Sequence, residues 1–409
     1  MDEPTINPDN TDIEPSPQGV EEENEEFQPF DPERISIDTK PITMDTCLRR
    51  LEQGTIILNP DFQRNEVWTM EKKCRLIESL MLKIPIPMFY VSADEKGIFY
   101  VVDGLQRLST LRSFVLGDKY LETKKNSLKG EGFVLEDLEF WGDQYNSMNF
   151  NDLPINIQNR ILETGFTFTI INPGTPEEVK RNIFKRINTG GEPLTPQEIR
   201  HALYIGESTR LLLQLSKKKE FLLATDGSVK SNRMMDREII LRCLSFIIRS
   251  YIDYYKNHDM DSFLSDTMRI INIMPNLNIK TFERIFKERV RKEQILINDM
   301  AILEDHFTKS MIRAREIFGI HAFRKSYPGR RRTPINKALF EVWGTLLGKL
   351  SEHEYLNLKK NRKEFYARYI EILDKPEFIY IISRDSLKYS SVKDRYEKLN
   401  DLIKLFIND

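Results

Sequence analysis

The stretch Ile98-Phe99-Tyr100-Val101-Val102-Asp103-Gly104-Leu105-Gln106-Arg107-Leu108 decides how the first half of the chain folds. Its first five residues are apolar, and so short a β-branched and aromatic run predicts a buried strand. Apolar residues then recur at helical spacing up to Val115, and Gly117 follows as a helix stop. The pattern therefore predicts a strand-to-helix turn at Asp103-Gly104.

A turn of this kind is suited to binding phosphate. The first amides of the helix and the positive end of its dipole lie there, and a glycine lets a ligand approach the backbone closely. Arg107 adds a planar, permanently charged fork that fits phosphate oxygens. The structural alternative stays open, because Asp-Gly is a common turn and Arg107 could pair with Asp103 four residues earlier.

The rest of the first half alternates short strands with helices, which predicts an α+β domain. Strands are expected at Ile35–Ile37, Ile56–Leu58, Met88–Val91 and Phe166–Ile171, and the third forms a hairpin with the Ile98 strand. Helices are expected from Thr43 and from Met70 to Leu82, with a shorter one after Pro154.

A second candidate turn follows a helix that begins after Pro176. The segment Phe184-Lys185-Arg186-Ile187-Asn188-Thr189-Gly190-Gly191 ends in adjacent glycines, whose amides could form an anion-binding nest. A plain helix C-cap explains the glycines equally well. Thr195, Pro196 and Glu198 have the spacing of a capping box at the start of the next helix.

Beyond residue 200 the sequence is predicted to be helical almost throughout. The expected helices span Met234–Tyr255, Phe282–Phe307, Phe340–Leu350, Phe365–Leu373 and Tyr396–Phe406. A basic cluster, with Arg324, Arg330, Arg331 and Arg332 near Tyr327-Pro328-Gly329, is the best candidate for contacts with a nucleic-acid backbone. An exposed, solvated loop is the alternative interpretation.

Charge is distributed unevenly along the 409 residues. Residues 1–33 hold twelve Asp or Glu and no Lys or Arg. The remaining chain therefore contains 51 of the 63 acidic residues and all 61 basic residues. The first 33 residues have almost no large apolar side chains and are predicted to form a disordered acidic tail. A strip that folds back over the basic body is the functional alternative, since the body's positive charge is compatible with nucleic acid.

Several chemistries have no signature in the sequence. The five histidines are scattered without metal-binding spacing, and neither a P-loop, a G-x-G-x-x-G nor a G-x-S-x-G motif occurs. Three distant cysteines form no disulfide or zinc pattern. With no apolar run long enough for a bilayer and no secretory signal pattern, we expect a cytoplasmic protein without a membrane partner.

Five motifs occur together in an order that resembles the N-terminal domain of GmrSD-type restriction endonucleases. They are Phe62-Gln63-Arg64 with Val67-Trp68, Leu76-Ile77-Glu78-Ser79, Pro85-Ile86-Pro87, Val102–Leu108, and Phe184–Gly191 with Leu194 and Glu198-Ile199-Arg200. The resemblance is firm over residues 40–250. It continues more loosely to Phe323-Arg324 and Asn336–Phe340.

The resemblance implies a small ParB/sulfiredoxin-like mixed α/β domain at 34–195, followed by a helical domain at 196–409. The family's Asp-Gly-Gln-Gln-Arg motif is associated with nucleotide binding and hydrolysis, which implies an NTP with Mg²⁺ as the cofactor. By this likeness Asp103, Gln106 and Arg107 are candidate catalytic residues, and Asp103 is also a candidate metal ligand. The candidate nucleotide-binding residues are Arg64, Gly104, Arg186, Asn188 and Thr189.

Two departures from the family pattern bear on function. Leu105 stands where the motif has its first Gln, and the C-terminal histidine nuclease domain of many relatives is not visible. We therefore expect a nucleotide-binding, NTP-hydrolysing component of a prokaryotic anti-phage defence system that acts on DNA, with a partner protein supplying the nuclease. The alternatives are a non-catalytic DNA-binding module and a nuclease that uses the same domain.

Overall fold

The computed structural model describes residues 19–21, 36–58, 68–187, 194–255, 259–286 and 289–407; for 177–178 and 185–187 it describes only the backbone. The chain forms two compact units. The first is Phe27–Ile205, and the second combines Met1–Glu26 with Gly206–Asp409. The boundary places the helix Pro196–Leu203 with the first unit, whereas the sequence analysis began the helical domain at residue 196.

The first unit is built on a five-stranded mixed sheet among its described residues, with the order β1-β5-β3-β4-β2. Strands β3 and β4 form the expected antiparallel hairpin, while β2 runs parallel to β4 and β5 runs parallel to β3. The strands are β1 Ile37–Thr43, β2 Ile56–Ile57, β3 Phe89–Ala93, β4 Phe99–Asp103 and β5 Gly165–Ile171. Its helices are α1 Met44–Glu52, α2 Met70–Met81, α3 Leu105–Leu116, α4 Asp118–Thr123, α5 Gly142–Tyr145, α6 Ile155–Leu162, α7 Glu177–Ile187 and α8 Pro196–Leu203.

An aromatic core fixes the sheet beneath the candidate turn. Phe89 on β3 stacks on Phe168 at 5.1 Å between ring centroids and meets Phe166 edge-on at 5.3 Å. All three rings are buried, and such pairs add stability beyond the area they bury. The end of β4 that carries Asp103 therefore lies next to a buried aromatic cluster on the neighbouring strands.

The second unit is helical throughout its larger part, as expected. Helices α11, α15 and α16 pack on one another, and the buried Trp343 lies on α16. The helices are α9 Glu207–Ser216, α10 Lys219–Thr225, α11 Met235–Ile248, α12 Tyr251–Tyr254, α13 Met260–Asn272, α14 Ile279–Phe286, α15 Met300–Phe318, α16 Lys337–Lys349, α17 Glu352–Lys360, α18 Arg362–Leu373, α19 Pro376–Ser383 and α20 Tyr389–Ile407.

Two helices expected in the second unit are interrupted, and one contact explains both. The predicted helix Met234–Tyr255 ends at Ile248 because Arg249 is extended and bridges Ile295. The predicted helix Phe282–Phe307 is broken by the same bridge, and Leu296 donates its amide to Ile248 O at 2.7 Å. Both predictions were wrong, since a tertiary strand contact outweighed the helical periodicity of the apolar residues.

Three described residues of the acidic tail do not match the expectation of disorder. Gly19–Glu21 lie against the second unit, and Val20 is buried and bridges Ile335. The remainder of residues 1–33 lies outside the described residues. The three cysteines are free and buried, and burial raises the pKa of the Cys47 thiol to about 12.

Candidate functional site

The predicted strand-to-helix turn is present and depends on Gly104. Strand β4 ends at Asp103, Gly104 has φ 92° in the left-handed region, and α3 begins at Leu105. A Cβ built on Gly104 would lie 2.3 Å from Cδ1 of Phe89. Glycine is therefore required at position 104 for two reasons. A larger residue would be strained at this φ, and its Cβ would collide with Phe89 of the aromatic core.

Arg107 ties this turn to the start of β3. Its Nη2 donates to Asp103 Oδ2 at 2.9 Å and to Met88 O at 3.2 Å, while Nη1 donates to Pro87 O. The guanidinium also lies over the Phe89 ring, 4.7 Å from its centroid. The alternative of an Asp103–Arg107 pair is thus the arrangement observed.

The environment of Arg107 limits how it could meet a ligand. Its side chain is 11 % exposed, against 34 % for Asp103. Burial lowers the pKa of the Arg107 guanidinium, and the charge of Asp103 acts in the opposite direction. Both terminal nitrogens are already engaged, so the arginine positions Asp103 and the Pro87-Met88 backbone.

The start of α3 retains open hydrogen-bonding capacity. Gly104 is its N-cap residue, and no side chain among the described residues caps the amides of the first turn. Gln106 is half-buried, and its side chain makes no hydrogen bond within the described part of the chain. The turn thus presents amide donors and one uncommitted amide side chain beside a partly exposed carboxylate.

The other candidate nucleotide-binding residues are not placed. Arg64, Asn188 and Thr189 lie outside the described residues, as does the side chain of Arg186. Helix α8, which follows the Phe184–Gly191 motif, packs against β4. Its predicted capping box is confirmed: Thr195 Oγ1 accepts from the Glu198 amide at 3.2 Å, and Glu198 Oε2 accepts from the Thr195 amide at 2.7 Å.

Comparison with known families decides which domain this is. Residues 47–205 match the family model of the GmrSD restriction endonuclease, N-terminal domain. The first unit contains a GmrSD-type N-terminal domain. The match ends at the residue where the first unit ends, and it spans β4, the Gly104 turn and α3. No curated protein matches the chain.

Glu78 on α2 of the GmrSD-type domain is a buried polar residue to which the sequence analysis gave no role. Its carboxylate accepts from the amides of Glu139, Phe140 and Trp141 at 3.0, 2.8 and 3.1 Å. Three donors to one buried carboxylate hold the Glu139–Trp141 loop against α2. The motif Leu76-Ile77-Glu78-Ser79 contained the signal, since an acidic residue on an apolar helix face needs donors.

The four predicted DNA-binding arginines of the second unit have different environments. Arg324 is buried and donates to Thr333 O, to Thr225 O at 3.3 Å and to Ser228 Oγ at 2.9 Å. Arg324 thus serves the fold of the unit and does not face solvent. Arg332 is mostly buried in an ion pair with Asp226 at 2.6 Å.

Arg330 and Arg331 are the exposed members of the cluster. Arg330 stacks on Tyr327 at 4.7 Å and reaches Asp374 Oδ1 at 3.3 Å. Arg331 makes no ion pair or hydrogen bond within the part of the chain that the structure describes. Phosphate contacts of this segment would therefore rest on two arginines and not on four.

The described residues contain neither a metal-binding cluster nor a membrane-spanning helix. No group of three or more His, Cys, Asp or Glu side chains among them could hold a metal ion. None of the described helices is long and apolar enough to cross a membrane.

Proposed function

We propose that this protein is a nucleotide-binding, NTP-hydrolysing component of a prokaryotic restriction-like defence system that acts on DNA. The family of its first domain, restriction endonucleases, supports the setting. One observation of the structure supports nucleotide binding. The first turn of α3, which begins after Gly104, has no side-chain cap, and the Gln106 side chain in that turn has no hydrogen-bond partner among the described residues.

In this proposal the phosphates bind to the amides at the start of α3. Unpaired amides and the helix dipole favour an anion at this position. Gln106 donates from its side-chain amide, and the left-handed backbone of Gly104 directs the chain from β4 into α3 at this point. Arg64, Arg186, Asn188 and Thr189 remain candidate nucleotide-binding residues in this proposal, because they fall on the motifs by which the chain resembles the family.

Asp103 and Arg107 have separate roles here. Asp103 Oδ1 accepts no side-chain hydrogen bond from the described residues, so it is available to orient a water molecule or to contact Mg²⁺. Bound Mg²⁺ would offset phosphate charge during transfer. Arg107 fixes Asp103 through Oδ2 and adds positive charge near the phosphates.

Phosphate release from NTPs tests the enzymatic claim. The full chain is incubated with each of the four common NTPs and Mg²⁺, beside the variants Asp103→Asn and Gln106→Ala. We expect turnover of at least one NTP and a loss of about 10²-fold or more in Asp103→Asn. Equal phosphate release from all three proteins would remove the claim of hydrolysis at this turn.

DNA binding without catalysis is the second candidate, supported by the exposed Arg330 and Arg331. It predicts an affinity for duplex DNA that falls steeply with salt and weakens in Arg331→Ala. A flat affinity between low and moderate salt would contradict it. A plasmid-nicking assay of the chain alone with Mg²⁺ or Mn²⁺ separates a built-in nuclease from one supplied by a partner protein.

A further inference from the structure

Residues Gly19–Glu21, which we name the docked strand, bind the second unit by strand addition. The Gly19 amide donates to Ser228 O at 2.9 Å, and the Glu21 amide donates to Ile335 O at 2.9 Å. Ile335 returns its own amide to Gly19 O at 3.3 Å. The surface that receives the strand, which we name the slot, is therefore lined by the backbones of Ser228 and Ile335.

A buried arginine joins the two walls of the slot. On one side, Arg324 donates to Ser228 Oγ at 2.9 Å and to Thr225 O at 3.3 Å. On the other side, it donates to Thr333 O and bridges Ile335. Arg324 is 1 % exposed, and these contacts all lie within the second unit. The unit itself therefore positions both walls, and the docked strand adds to a preorganised site.

Side chains of the slot select an acidic residue at the third position of the strand. Glu21 Oε2 accepts from Lys325 Nζ at 2.9 Å and from Asn336 Nδ2 at 2.8 Å. Lys325 also donates to Ser383 Oγ at 3.2 Å, which fixes its ammonium group. Asn336 is 2 % exposed and caps α16 at the Leu339 amide. Two fixed donors and the positive end of a helix therefore favour a carboxylate here.

Backbone conformation and burial select the first two positions of the strand. Gly19 has φ 97°, although a Cβ there would meet no atom within 4 Å. The restriction to glycine is therefore conformational and not one of space. Val20 is 8 % exposed, so its apolar side chain is almost completely covered. A glycine, a small apolar residue and a glutamate thus match the slot position by position.

The described contact between the docked strand and the slot is small. It comprises three backbone hydrogen bonds, one buried valine and one carboxylate with two donors. A contact of this size opens locally at a much lower cost than unfolding of the whole unit. Proteins use the same combination of main-chain hydrogen bonds and side-chain pockets to bind extended peptides from other chains.

We propose that the slot is a peptide-binding site for an extended Gly-apolar-acidic segment of a partner protein, and that the docked strand occupies it as an intramolecular competitor. The strand defines the chemistry of the partner segment, whose carboxylate takes the place of Glu21 between Lys325 and Asn336. The partner segment binds when the docked strand is released. Because the slot belongs to the second unit, the proposal goes beyond nucleotide binding by the first unit and does not depend on it.

The experiment measures the fluorescence anisotropy of a labelled peptide with the sequence of residues 16–24 during titration with full-length chains. In the protein, Val20→Asn removes the buried apolar anchor of the docked strand without a change in charge. Hydrogen exchange of the Ile335 amide, whose acceptor is Gly19 O, reports release of the strand. Peptides with Gly19→Ala or Glu21→Gln, and a scrambled peptide of the same composition, test selectivity without any change in the protein.

We expect faster exchange of the Ile335 amide in Val20→Asn and saturable peptide binding that is about tenfold or more tighter than in the wild type, because the slot is free. The Gly19→Ala and Glu21→Gln peptides should each bind about tenfold more weakly. The absence of saturable binding to the Val20→Asn chain, or equal binding of the scrambled peptide, would overturn the peptide site. Unchanged exchange, or equal affinity of the two chains, would overturn the competition.

A lysine variant locates the peptide in the slot. Lys325→Ala, combined with Val20→Asn, removes one donor to the carboxylate and should weaken peptide binding about tenfold. Lys404→Ala in the same background is the matched control, since Lys404 pairs with Asp401 at the surface of α20. The control should bind the peptide like Val20→Asn alone. Equal affinities of the two lysine variants would show that the peptide binds outside the slot and would overturn the proposal.

Discussion

Nη2 of Arg107 lies 2.9 Å from Oδ2 of Asp103, one helical turn away on the other side of Gly104. The same guanidinium holds the carbonyls of Pro87 and Met88, so a single side chain joins the end of β4 to the start of β3. The turn is therefore assembled by the protein's own residues. Its open donors are the first amides of α3 and the side chain of Gln106.

Removal of the Arg107 side chain should destabilise the first unit. Arg107→Ala leaves a carboxylate and two carbonyls without their donor, and we expect a loss of about 2 kcal/mol in the free energy of unfolding. Arg107→Lys should recover part of this, because one ammonium cannot span all three acceptors. Arg49→Ala is the control: Arg49 and Asp45 have the same spacing but are both exposed. Urea denaturation should show a change below about 0.5 kcal/mol there; equal losses would contradict this role for Arg107.

Gly104→Ala should strongly lower the free energy of unfolding of the first unit. The added Cβ meets Phe89 at 2.3 Å and the φ of 92° is unfavourable for alanine, so we expect a loss of about 2 kcal/mol or more. Gly174→Ala is the matched control, since its Cβ would meet no atom within 4 Å. Thermal melts of both variants measure the difference. A Gly104→Ala protein as stable as the control would show that the turn accepts a side chain.

Glu78→Ala should release the Glu139–Trp141 loop. Three backbone amides lose a common acceptor, and their hydrogen exchange should accelerate at least tenfold. Glu71→Ala, on the exposed face of the same helix, should leave these amides protected. Unchanged protection in Glu78→Ala would mean that the loop is held by other contacts.

His306 should make the second unit sensitive to mild acid. Burial lowers the pKa of His306 to about 4, while Nε2 lies 3.2 Å from Thr345 O. The pKa of His306 is lower in the folded protein than in the unfolded protein. The contribution of the neutral imidazole to the free energy of unfolding is therefore complete above about pH 6.5 and is lost as the pH falls towards 4. Relative to His306→Gln, the wild type should lose about 2 kcal/mol between pH 7.5 and pH 5. Parallel stability curves for the two proteins would contradict the buried neutral imidazole.

Local chemistry was sufficient to predict the elements around the turn. The apolar run before Asp103 gave β4, the helical spacing after it gave α3, and the Thr195–Glu198 spacing gave a true capping box. Each of these depends on residues within about four positions of one another, where propensity and pattern agree. The sequence also presented the Asp103–Arg107 pair as one of two alternatives.

Contacts distant in sequence could not be predicted in this way. The bridge between Arg249 and Ile295 broke two expected helices, and Val20 pairs with Ile335 across most of the chain. Burial of Arg324 depends on carbonyls of Thr225 and Thr333, so its basic neighbourhood gave a misleading signal for DNA binding. The periodicity of apolar residues does not show which residues distant in sequence will pair with one another.

Nucleotide binding to the Gly104 turn is tested most directly by titration calorimetry of the full chain with each common NTP and Mg²⁺. Gln106→Ala is the decisive variant, because Gln106 has no side-chain partner among the described residues and its loss should leave the fold intact. Ser109→Ala, further along α3, is the control. The account predicts saturable binding of at least one NTP, weakened about tenfold by Gln106→Ala and unchanged by Ser109→Ala. Binding that Gln106→Ala leaves unaltered, or no saturable binding at all, would contradict it.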